Sequence, residues 1–182
     1  MMRVRFAMLP LVLGFPLVAC VPPDYPGDPI GEFVVVGDSL ANDCGDEAVP
    51  AAPSLEFSVE LRMDGETPYW RRIGFPAVPG IMEQDGKLRF RDETIVKLSP
   101  NPDDLSEECV LRQAEEIEVS LSEGGEPTSV DGGVGASSSF TGSLKVQWEP
   151  VNSATCGYVL VSGVGPFVQL PCGISYELDA QN

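Results

Sequence analysis

The sequence predicts an all-β domain: an antiparallel meander of about eight strands, closed as a small up-and-down barrel in preference to a two-layer sandwich. Three observations carry this. Leu55, Phe57, Val59, Leu61 and Met63 alternate strictly with Glu56, Ser58, Glu60 and Arg62, a period of two that no helix produces. Turn dipeptides Asp64-Gly65 and Asp85-Gly86 separate such runs at hairpin spacing. Strand follows strand with few connections long enough to cross between sheets, which favours closure over a sandwich.

In order, Gly31 to Val36 opens the domain as a compact β-branched run, expected to be buried on both faces. Pro50 to Pro53 marks a loop, Leu55 to Met63 the second strand, and Tyr69 to Ile73 its hairpin partner. Pro76 to Gly80 reads as a loop. Leu88 and Phe90 alternate with Lys87, Arg89 and Arg91, and Thr94 to Leu98 follows until Pro100-Asn101-Pro102 stops it. Asp103 to Glu116 is the one stretch where helix competes, through capping aspartates and helix formers. Ile117, Val119 and Leu121 nevertheless alternate with polar residues, so strand is expected from about Val110, after at most one helical turn. Gly124 to Ser139 is Gly/Ser-rich and reads as a mobile loop. Phe140 to Trp148, Tyr158 to Val161 and Ile174 to Leu178 supply the last strands.

The N-terminal segment has a different character. Arg3 and Arg5 precede an uncharged apolar stretch, Phe6 to Val18, too short to span a bilayer, which needs about 20 apolar residues. Leu17-Val18-Ala19-Cys20 resembles the lipobox of bacterial lipoproteins. The resemblance implies a signal peptide over 1–19, acyl chains such as palmitate on Cys20, and a Pro-rich tether over 20–31 ahead of a β-domain over 32–182. It also implies attachment to the cell envelope, at the outer membrane because Val21 stands where an inner-membrane retention aspartate would. The partner so defined is a membrane, reached through the lipid on Cys20.

Removal of Arg3 and Arg5 with the signal takes the net charge from -17 to -19. That excludes nucleic acid, whose affinity comes from neutralising phosphates. With no histidine in the chain, Ser-His-Asp and Cys-His catalysis are excluded too. No catalytic constellation is assigned, and no cofactor or metal.

Cys44, Cys109, Cys156 and Cys172 form an even set in an exported chain and read as two disulfides with three possible connectivities. Cys156 with Cys172 and Cys44 with Cys109 is favoured, since the first pair flanks one short segment. Zinc is the rival use, but C-x-x-C spacing is missing. The mature part further resembles small uncharacterised lipoproteins of large-genome gliding bacteria. Cys44-Gly45, Phe140-Thr141-Gly142 and Leu170-Pro171-Cys172-Gly173-Ile174-Ser175-Tyr176 carry that resemblance, which implies no activity.

Candidate sites are few. Tyr69-Trp70-Arg71-Arg72 joins aromatic surface to dense positive charge, and with Trp70 and Arg71 at one mouth it would hold a sugar ring or an anionic group. The competing reading makes one aromatic core and pairs the arginines with local acids; Trp148 reads as core. Asp103-Asp104, Glu107-Glu108 and Glu115-Glu116 offer carboxylates for glycosidase chemistry, or with Asp131 for calcium, although adjacent acids are commonly a solvated face. The expected role is a non-enzymatic β-domain that binds a small apolar ligand, as a lipocalin-like barrel would, or an envelope protein. A carboxylate-dependent envelope hydrolase or glycan-active protein and a periplasmic enzyme inhibitor are the alternatives.

Overall fold

The computed structural model describes residues 25–48, 52–98, 108–122, 137–151, 156–160 and 165–182. Eight antiparallel strands form one closed barrel in simple sequential order, β1 pairing with β8. They are β1 (Asp28–Asn42), β2 (Ser54–Asp64), β3 (Thr67–Arg72), β4 (Val78–Met82), β5 (Leu88–Lys97), β6 (Val110–Leu121), β7 (Ser139–Pro150) and β8 (Cys172–Gln181). The barrel expected from the hairpin pattern is the fold. Closure gives every strand a neighbour on each side.

The alternation seen in the sequence determines what lies inside. Val59 and Leu61 of β2, Leu88 and Phe90 of β5, Ile117 and Val119 of β6, Leu144 and Val146 of β7, and Tyr176 and Leu178 of β8 are all buried. Trp70 lies on the axis, with the rings of Phe57, Phe90 and Phe140 at centroid distances of 6.2, 5.7 and 6.0 Å. Tyr176 is buried as well and donates its hydroxyl to the Ala52 carbonyl at 3.1 Å; burial raises its pKa. Side chains thus fill the barrel axis.

The two ends differ. At the closed end β1 begins, the Gly65 and Gly86 turns take positive φ, and Ser137 straps across. The Ser137 amide donates to the Ile30 carbonyl, and its hydroxyl to Ser122 and Ser139 carbonyls at 3.0 and 2.8 Å. At the loop end lie the β1–β2, β3–β4, β5–β6 and β7–β8 connections and both disulfides, Cys44–Cys172 and Cys109–Cys156. This pairing corrects the one favoured from spacing. β1 pairs with β8 up to Asn42↔Ile174, and two further residues in each direction bring Cys44 opposite Cys172. Barrel closure therefore outranks proximity along the chain, and the sulfurs are committed to each other instead of to zinc.

Four element expectations change as well. β1 is buried on one face only: Phe33 and Val35 point inward, while Val34 and Val36 are 51% and 44% exposed, because a barrel wall has water on its other side. The tether ends earlier than residue 31. Asp28 already pairs with Met63, the Gly27 carbonyl accepts from Arg62 Nε at 2.8 Å, and Tyr25 packs on the outer wall. Pro76 to Gly80 is not all loop, since β4 begins at Val78 despite Pro79; Gly80 lets the Phe90 ring lie on the backbone, where a Cβ would come within 2.5 Å of it. Of the strand expected over Tyr158 to Val161, the described residues, Tyr158 to Leu160, form no barrel strand, and Val161 lies outside them. Gly157–Val159 is a 3-10 turn that seats the Tyr158 hydroxyl to accept from the Cys109 amide at 3.0 Å.

β6 begins at Val110 as expected. Cys20 and its signal segment, Asp103-Asp104, Glu107, Asp131 and most of the Gly124 to Ser139 loop lie outside the described residues.

Candidate functional site: an amphipathic cleft in the barrel wall

The shortness of β4 creates the site. β5 pairs with β6 over ten residues, from Leu88↔Val119 to Lys97↔Val110, but with β4 only from Met82↔Leu88 to Gly80↔Phe90. Beyond Phe90 the wall is notched, and the inner face of β5 opens sideways toward the 73–77 connection. A cleft of about 600 Å³ occupies the notch. Its floor is Trp70, Phe90 and Ile117, its outer lip Phe75, Pro76 and Val78, and its far wall Asp92 and Thr94 of β5 with Gln113 and Glu115 of β6.

Those four polar residues occupy inward positions. Asp92 stands opposite Glu115, and Thr94 opposite Gln113, continuing the parity of Leu88 and Phe90 on one strand and Ile117 and Val119 on the other. On β3 the parity that buries Trp70 brings Arg72 in above it. The Arg72 guanidinium donates to Glu115 Oε2 at 2.6 Å and lies 5.1 Å over the Phe57 ring. Gln113 Nε2 donates to Glu115 Oε1 at 3.1 Å. Glu115 is thereby held by two donors, whereas no described residue pairs with Asp92. Among described groups, the indole N–H of Trp70 also has no acceptor, although the residue is only 2% exposed.

The expected Tyr69-Trp70-Arg71-Arg72 cluster is divided by strand geometry. Trp70 and Arg72 share the cleft; Tyr69 and Arg71 face out, so the expected partnership of Trp70 with Arg71 is replaced by one with Arg72. Arg71 instead donates to Glu60 at 2.6 Å and stacks 4.5 Å over the Tyr25 ring, with Arg62 at 5.0 Å. Burial, then the nearby carboxylate of Glu60, raise the Tyr25 pKa above that of a free tyrosine. Both arginines are paired with acids and Trp70 belongs to the core, as the competing reading held. Trp148 is buried too, 5.6 Å from Phe167.

Carboxylates expected as pairs also separate. Glu115 and Glu116 point to opposite faces, Glu116 reaching Arg89 at 3.6 Å outside. Glu108 lies beside Lys97 at 3.4 Å. Asp43 approaches Cys44 and Cys172, but those sulfurs form the disulfide and offer no thiolate.

Asp92, Thr94 and Gln113 were not among the residues singled out from the sequence, and Glu115 was singled out only with Glu116. A signal for them exists: the apolar alternation of β3, β5 and β6 changes to polar at the same level on the inward parity of all three strands.

The fold and site define a closed up-and-down β-barrel with a packed axis and one amphipathic cleft near its loop end. Comparison with protein-family models, curated proteins and solved structures finds no match for the chain.

Proposed function

We propose that this protein is a lipid-anchored envelope protein that binds a small amphipathic molecule in the notch between β3, β4 and β5 without transforming it. The cleft carries this reading, because an apolar floor beneath a few convergent polar groups is the usual form of a small-molecule site. A wholly apolar guest inside the barrel is disfavoured, since side chains occupy the axis. An amphipathic one suits the notch, ring against Trp70 and Phe75, polar part toward Arg72, Gln113 and Asp92.

The anchor in this proposal is the acylated Cys20, and the host membrane the outer one. Tyr25 is fastened at the closed end five residues later, and five extended residues reach about 17 Å. The closed end would then sit at the lipid surface with the cleft directed away from it, so its ligand arrives from the aqueous compartment.

A carboxylate hydrolase has one observation in its favour, the presence of Asp92 and Glu115 in the same cleft. They are cross-strand neighbours on one wall, however, whereas glycosidic cleavage needs carboxyls on two sides of the scissile bond.

Two measurements test the proposal. Metabolic labelling with a fatty-acid analogue should mark the wild type and not Cys20→Ser; labelling of both or neither would remove the anchor. Screening the full chain by NMR against small ring-containing fragments should shift Trp70 and Phe75, and the absence of any shift there would remove the cleft.

A further inference from the structure

We infer that the ligand of this cleft is an organic cation, an apolar or aromatic body carrying a protonated amine, with Asp92 as the group that recognises its charge. The inference rests on the cleft reading above and specifies its ligand class.

The ionic groups around the notch do not balance toward an anion. Arg72 is engaged by Glu115 at 2.6 Å and covered on one side by Phe57. Arg91, at the rim, donates to Glu93 at 2.7 Å. Asp92 remains, exposed, in no ion pair with a described residue and with Glu115 directly opposite across the strand pair. Glu115 is offset by Arg72, so the uncompensated charge of the notch is that of Asp92, and a cation beside it restores the balance. An anion would meet the Asp92 carboxylate and, opposite it, Glu115, whose charge already engages Arg72.

The neighbouring groups fit such a cation. The Thr94 hydroxyl and the Gln113 amide oxygen offer acceptors to ammonium N–H groups, while Trp70, Phe75 and Val78 cover the apolar body. Aromatic faces also attract positive charge. The field of a chain carrying -17 acts in the same direction, raising the local concentration of cations. The anionic group entertained from the Arg71-Arg72 pair is thus replaced by its opposite.

The test compares three probes of one shape, 2-phenylethylamine, 2-phenylethanol and 3-phenylpropionate, titrated into the full chain and followed at the Trp70 indole and the Phe75 amide. The amine should bind at least tenfold more tightly than the carboxylate. Asp92→Asn should remove the amine's advantage over the alcohol, and a wild-type amide dispersion in the variant shows that it is folded. A carboxylate that binds as well as the amine, or an amine indifferent to Asp92→Asn, overturns the charge inference and leaves the cleft standing. If none of the three moves either resonance, the cleft reading falls and this inference with it.

Discussion

Replacing Cys44 and Cys172 together by serine probes both connectivity and barrel closure. The bridges span 128 and 47 residues, and the shorter is nested inside the longer. With Cys109–Cys156 intact, the chain closed by Cys44–Cys172 is effectively about 80 residues, worth roughly 4.5 kcal/mol of unfolded-state entropy. Removing only Cys109–Cys156 deletes a 47-residue closure, worth about 4 kcal/mol. Urea unfolding followed by tryptophan emission should therefore show two large losses of similar size, the Cys44/Cys172 variant somewhat the weaker. Thiol titration of the denatured, unreduced variants supplies the sharper outcome. Apart from Cys20, neither double variant should contain a free thiol, because each keeps one complete bridge. Under the pairing favoured by spacing, Cys44→Ser/Cys172→Ser would strand Cys109 and Cys156 as two free thiols. Finding those two thiols would refute the closure argument, and a loss under 1 kcal/mol would refute the loop-entropy reasoning.

Three further outcomes follow from the packing and the charges. Trp70→Ala removes the ring around which three other aromatics gather and should cost about 3–5 kcal/mol in chemical denaturation; a loss under 1 kcal/mol would show the axis to be loosely filled. Gly80→Ala places a Cβ 2.5 Å from both the Arg89 carbonyl and the Phe90 ring, and should cost about 1–3 kcal/mol, read as a lowered melting temperature. Glu118 is held below the usual carboxylate range, first by its hydrogen bond from Lys87, with burial opposing and Arg89 assisting. A depressed folded-state pKa means that its stabilisation is present above the unfolded value and is lost as pH falls through the folded one. Glu118→Gln should flatten the acid side of the stability profile slightly, since the pair is largely exposed, and the far alkaline side as well, since the same hydrogen bond raises the pKa of Lys87.

Much of the barrel was legible because its physics is local. A strand with water on one side and core on the other must alternate, and Leu55 to Met63, Leu88 with Phe90, and Phe140 to Trp148 all do so. β4 was hidden because Val78-Pro79-Gly80 has the composition of a turn. It becomes a strand only because Tyr69 and Trp70 on one side and Phe90 on the other supply partners. Tyr158 to Val161 failed in the opposite sense: its described part, Tyr158 to Leu160, holds a 3-10 turn and a single bridge from Leu160 to Phe167 instead of a barrel strand. The site was half legible. Trp70 and Arg72 lay within the Tyr69 to Arg72 stretch, but which arginine accompanies the tryptophan depends on parity, and Arg71 is one residue out of phase. Asp92, Thr94 and Gln113 look like ordinary surface residues until three strands are aligned in register.

By itself the sequence determined the strand periodicity, the turns, the acidic surface, the exclusion of histidine chemistry and the even set of cysteines, all properties of residue types and their spacing over a few positions. Only the tertiary structure decided what depends on which strands are neighbours. Because β1 closes on β8, Cys44 meets Cys172; because β4 stops short of its neighbours, a gap opens beside Trp70 and the polar residues there face a cleft instead of a core.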